Sequence, residues 1–105
     1  MATGRLAGDD LAAGTNTTVY TTPAETYTVA SVNIVNRGTQ PTVINLAIAD
    51  LDTPTLGEYI EWETELLPKN VLERTGIVLG AGQKIVARST QANVSVVAFG
   101  IETTA

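Results

Sequence analysis

The chain has 105 residues, 44% of them hydrophobic and 16% charged, which is the length of one domain and too apolar for a disordered tail. It contains no cysteine and no histidine, so disulfides, thiolate metal sites, the usual zinc ligand and the usual general base are all missing. Six basic residues against eleven acidic ones give a net charge of −5, the wrong sign for tracking a phosphate backbone, and no run approaches the ~18 apolar residues of a membrane helix. Neither nucleic acid nor membrane is therefore an expected partner. The start, Met1 to Leu6, lacks a basic region followed by an apolar run, which points to synthesis in a cytosol-like compartment.

Residues 1–14 read as an N-terminal arm, with Asp9 as an N-cap and Gly14 as a stop for one helical turn that needs packing to persist. Beyond it, seventeen threonines and many Val and Ile favour strands, because branched side chains fit a pleated surface better than a helix turn. Asn16 to Thr22 is the first strand. Period two then puts Ala30, Val32 and Ile34 on one face of Tyr27 to Ile34, and Ile44, Leu46 and Ile48 on one face of Thr42 to Asp50. Between these two strands, Asn36 to Pro41 predicts a short reversal. The alternation in Glu58 to Leu66 points Ile60, Trp62 and Leu66 inward and Tyr59, Glu61, Glu63 and Glu65 outward. After Pro68-Lys69-Asn70, Val71 to Leu79 is extended again, Gly80-Ala81-Gly82 predicts a hairpin turn, and Gln83 to Ser89 follows. Asn93 to Glu102 is apolar on both faces, the mark of a central strand, and Phe99 joins Trp62 as an expected core aromatic. All four prolines fall between strands. The prediction is an all-β protein: a single seven-stranded antiparallel β-sandwich over residues 15–105, behind a short N-terminal arm.

No catalytic constellation emerges. Ser31, Ser89 and Ser95 lie in or beside strands without a histidine or a G-x-S-x-G elbow, and Gly80 to Lys84 lacks the phosphate-loop spacing and leads into a strand. Asp50 and Asp52 lack the glycine and glutamate that complete a calcium loop, and nothing supports pairing them with Glu58 for glycoside hydrolysis. Neither a cofactor nor a metal is expected. Charge is uneven: residues 58–65 carry four Glu and no base, while 66–105 carry four basic and two acidic residues. Glu61, Glu63 and Glu65 sit about 7 Å apart along a strand face, a row that repels itself and suits basic residues of an adjacent copy. The candidate subunit contacts are therefore Tyr59, Glu61, Glu63 and Glu65 against Lys69, Arg74, Lys84 and Arg88. Exposed tyrosine fits either such an interface or the ring-stacking floor of a sugar site.

Read together, four stretches carry a resemblance: Asn16 to Ala24, Val32 to Gly38, Glu58 to Glu61, and Val71 to Leu79 with Gly82-Gln83-Lys84. They resemble small structural proteins of tailed-bacteriophage virions. The likeness covers most of the chain in texture and strand order and brings no catalytic or ligand motif. It implies a non-enzymatic virion protein, made in the host cytoplasm and present in many copies. The first expectation is a capsid decoration protein; the alternative is a tail, baseplate or fibre component that binds a receptor glycan. The shell subunit itself is not expected, since that fold needs a longer chain with a long helix. The resemblance implies other virion proteins as partners and a homo-oligomer, with a trimer as the expected state. The arm, through Arg5, Leu6 and Leu11, is the expected docking element.

Overall fold

The computed structural model describes residues 2–105. Eight strands run in chain order: β1 (Thr3–Leu11), β2 (Thr17–Thr21), β3 (Thr26–Asn36), β4 (Thr42–Ala49), β5 (Tyr59–Leu66), β6 (Val71–Leu79), β7 (Lys84–Ser89) and β8 (Val94–Thr104). A single turn of 3-10 helix, Leu56–Glu58, precedes β5. The strands form two four-stranded antiparallel sheets, ordered β1-β8-β3-β6 (sheet one) and β2-β7-β4-β5 (sheet two). This is the strand order of a jelly roll, in which consecutive strands mostly alternate between the two layers.

The all-β, two-layer expectation is met, and the strand count is corrected from seven to eight. The added strand is β1, built from residues expected to form an arm and a helical turn. Thr3 to Leu11 pairs with β8 from Thr3↔Ile101 to Leu11↔Val94, and a bulge at Leu6 absorbs the one-residue mismatch. Backbone hydrogen bonds to an open sheet edge outweigh a helical turn too short to sustain itself. Two expected reversals are also corrected. The Asn36 to Pro41 and Gly80 to Gly82 turns connect different sheets, so neither closes a hydrogen-bonded hairpin.

The inward residues follow the predicted period. Ala30, Val32 and Ile34 of β3, Ile44 and Leu46 of β4, Ile85 and Ala87 of β7, and Val94, Val96 and Ala98 of β8 are buried and pack as one cluster, with Ile48 and Ile60 packed against it. Burying one Ile or Leu this fully is worth about 2–3 kcal/mol, which makes these central strands the stable part of the fold. Gly100 lets β8 approach β3 closely: a β-carbon there would lie 2.0 Å from the Val29 carbonyl oxygen.

Two core assignments are overturned. Trp62 is 54% exposed, because β5 carries bulges opposite Ile44–Leu46 and Leu46–Ala47, with Glu63 at φ 49°. Between the two inserted residues the parity of the strand is reversed, so Glu61 faces inward and Trp62 turns outward, while Thr64 and Leu66 keep the core side. Phe99 lies on the outer face of β8 at 37% exposure, because Val94, Val96 and Ala98 claim the inner one.

At the β5/β6 flank, Arg74 Nη1 donates to Glu61 Oε2 at 2.7 Å and to the Ile60 carbonyl, tying the two sheets together. At one end of the core, the Tyr20 hydroxyl donates to Glu102 Oε2. Since that uses its one proton, Thr28 Oγ1 must be the donor across the 3.0 Å contact to Tyr20. At the other end, the buried Asn36 amide donates to the Gln40 and Leu66 carbonyls and accepts from Gly38 N, which shapes the β3–β4 crossover.

Candidate functional site

The sequence-predicted contact residues do not form one surface. Glu61 and Arg74, expected to meet across neighbouring copies, pair within the chain, so neither is free for a partner. Lys69 occupies the β5–β6 turn at φ 66° and donates to the Arg37 carbonyl at 2.8 Å. Lys84 Nζ lies 3.9 Å from Asp52 and contacts Thr21 Oγ1. Tyr59, Glu63, Glu65 and Arg88 do share a face, the outer side of sheet two, as the register Ala47↔Tyr59, Val43↔Glu65 and Asn45↔Arg88 requires. Of the expected docking residues, Leu11 is 2% exposed in the core and Leu6 packs against it, leaving Arg5 alone on the surface.

Sheet two's outer face divides in two. Its upper half is covered by the chain itself: residues 50–58 fold back over it, Thr18 Oγ1 donates to Asp52 Oδ1 at 2.6 Å, and Ala47, Ala49 and Val86 are buried beneath. Two of the carboxylates considered for chemistry, Asp52 and Glu58, are engaged within this strap. Glu58 accepts from the backbone nitrogens of Thr55 and Asp50, and these bonds hold its carboxyl below the ordinary range. The lower half is a half-open groove of about 300 Å³ lined by Val43, Asn45, Glu63, Arg88 and Thr90. Asn45 Oδ1 accepts from Glu63 N at 2.7 Å, so the bulge and the groove floor are one construction. Trp62 and Tyr59, stacked edge to face at 4.8 Å, stand on the same outer face. Among the described residues, no three of His, Cys, Asp and Glu gather as a metal-holding group.

Sheet one's outer face is different in kind. The register aligns Val78, Val29, Ile101 and Thr3 in one row across all four strands, flanked by Tyr27↔Thr103 on one side and by Ser31↔Phe99 and Asn33↔Val97 on the other. Val78 is 63% exposed and Ile101 48%, and no loop among the described residues crosses them. No family model, curated protein or solved structure matches the chain.

The sequence does contain the signal for this surface, in the apolar set Val97, Phe99 and Ile101 opposite Val94, Val96 and Ala98. That pattern marks a strand with neighbours on both sides, and β8 has them in β1 and β3. It does not reveal that none of the described residues covers the outer face. Conversely, the glutamate row of β5 is conspicuous in sequence and loses its regularity at the Glu63 bulge.

Proposed function

We propose that the protein is a non-enzymatic structural component of a tailed-bacteriophage virion, docked as a capsid decoration protein in many copies. The observation that carries this reading is the bare apolar face of sheet one on a jelly-roll domain too small to have surface to spare. Apolar faces of this extent on small domains mark contacts with other protein. The jelly roll itself recurs in viral capsid and lectin domains, a fold-level analogy that agrees with the resemblance of the strand sequences. In this reading the N-terminal segment takes part as edge strand β1, through Arg5, and not as a free arm.

A second reading is a tail or fibre component that binds a receptor glycan. It is favoured by the groove around Arg88 and Asn45, with the rings of Trp62 and Tyr59 beside it on one face. Polar groups fixing orientation next to exposed rings are the ingredients of such a site.

One experiment separates the two: a low-resolution map of the native particle carrying a tagged copy, combined with a glycan array on the isolated domain. Density over the capsid surface with a silent array supports decoration. Density on the tail with glycan affinity supports the second reading, and absence of the protein from purified particles rejects both.

A further inference from the structure

Sheet one's outer face has a specific charge plan. Its central strands β8 and β3 present Ser95, Val97, Phe99, Ile101 and Thr103 beside Tyr27, Val29, Ser31, Asn33 and Val35, with no charge among them. Charged side chains occur on the two edge strands alone: Arg5 and Asp10 on β1 and Glu73 on β6. Asp10 is already paired with Arg37 at 2.5 Å. Among the described residues, Arg5 and Glu73 form no ion pair. The face is thus an uncharged panel, apolar along Val29, Ile101, Phe99 and Val97 and polar at Ser31, Asn33, Ser95 and Thr103, with a cation in no ion pair on its left edge and, on its right, an anion whose neighbour is the neutral Asn33 amide.

We infer that this face is covered by the same face of a second copy, about a twofold axis parallel to the strands. That axis lays β1 of each protomer over β6 of the other and keeps each cross-strand row at its own height. Arg5 lies in the row of Phe99 and Ser31, and Glu73 lies in the next row, with Asn33 and Val97. The rows are about 7 Å apart along a strand, within the reach of an arginine side chain. Symmetry makes the contact twice, so two Arg5–Glu73 pairs flank the apolar centre. The other twofold in the plane of the face, perpendicular to the strands, would set Arg5 against Arg5 and Glu73 against Glu73. The charges select the axis.

Size is adequate. Sheet one has strands of nine, eleven, eleven and nine residues. At about 4.8 Å between strands and about 3.3 Å per residue they make a flat footprint of roughly 600 Å². The corrugated accessible area is larger, and a stable interface needs about 800 Å² per partner. Facing sheets pack about 10 Å apart, so Val29, Ile101, Phe99 and Val78 would interdigitate as a second core. A flat panel covers itself completely only under a twofold, which favours a dimer here over the threefold state implied by the resemblance. Sheet two offers no equivalent panel, because its outer face is half covered by residues 50–58 and half polar.

The pairing supplies the self-association that the virion reading calls for, and its test separates the two. The full chain is measured by analytical ultracentrifugation from about 1 µM to about 1 mM. Dimer mass is expected to appear with concentration. Val29→Lys, on the outer face, should leave the circular-dichroism melt unchanged at concentrations where the wild-type chain is monomeric, and weaken dimerisation at least about a hundredfold. Arg5→Glu and Glu73→Arg should each weaken it about tenfold, and the double reversal should recover most of the loss. A monomer throughout, a dimer indifferent to Val29→Lys, or a double reversal no better than the single ones would overturn the proposal. Monomeric protein still found at full copy number on particles overturns the pairing and leaves the virion reading standing; a dimer absent from particles does the reverse.

Discussion

Gly100→Ala is expected to be the most damaging one-carbon change in the molecule. The added β-carbon would meet the Val29 carbonyl oxygen at 2.0 Å, Ala30 Cα at 2.8 Å and Val29 C at 3.0 Å, all backbone atoms that no rotamer change can move. The clash falls in the middle of the β3–β8 ladder, which runs unbroken from Thr26↔Thr104 to Asn36↔Val94, so relief requires shifting two central strands. Overpacking a side chain typically costs 1–3 kcal/mol; backbone against backbone belongs at the top, about 3 kcal/mol. Against a total stability of roughly 5–15 kcal/mol for a domain of this length, that is a fall in melting temperature of roughly 10–20 °C. Urea unfolding followed by far-ultraviolet circular dichroism measures it; the fluorescence of Trp62 is a poor probe, because that ring is already exposed in the native state. Gly57→Ala is the control, since nothing lies within 4 Å of its added carbon, and it should stay within about 0.5 kcal/mol of wild type. A Gly100→Ala protein within about 1 kcal/mol of wild type would refute the close approach of β3 and β8.

Other outcomes follow from the same contacts. The hydroxyl of Tyr20, and then the backbone nitrogen of Ala2, hold the Glu102 carboxyl below its ordinary value, whereas burial and then Glu102 itself push the Tyr20 hydroxyl up. A lowered acid stabilises the fold above its unfolded pKa and a raised one below it. The pair therefore contributes between about pH 4.3 and about pH 10 and is lost as pH falls or rises beyond those limits. Tyr20→Phe should flatten the alkaline limb of a melting-temperature profile and reduce the acid one; an unchanged profile would count against the contact. Asn36→Ala leaves the Gln40 and Leu66 carbonyls and Gly38 N without their partner and should cost about 3 kcal/mol in chemical denaturation, with a loss under about 1 kcal/mol contradicting the buried network. Deleting residues 2–10 strips β8 of its β1 neighbour and should abolish a cooperative melt, so a transition at the wild-type temperature would show that β1 is dispensable.

The amino-acid sequence by itself determined where the strands from β2 to β8 lie and which residues form the centre of the core. Alternation at period two and the placement of proline and glycine are local properties, and Ala30, Val32, Ile34, Ile44, Leu46, Val94 and Val96 obey them. Only the tertiary structure decided how the strands are dealt between two sheets, because hydrogen bonding along a ladder is available to any extended segment that reaches it. That is why Thr3 to Leu11 became an eighth strand against the pull of its short helical pattern. It is also why Trp62 and Glu61 exchanged sides: two bulges, one at Glu63 with positive φ and one just before Glu61, reverse the side chains between them, and no alternation count contains those bulges. The outer faces make the same point about function. Apolar residues on both sides of β8 were legible from the first, but whether a face is bare depends on where distant loops come to rest. Residues 50–58 settle on sheet two and leave the Val78, Val29 and Ile101 row of sheet one open, because Asp52 finds Thr18 and Lys84 there.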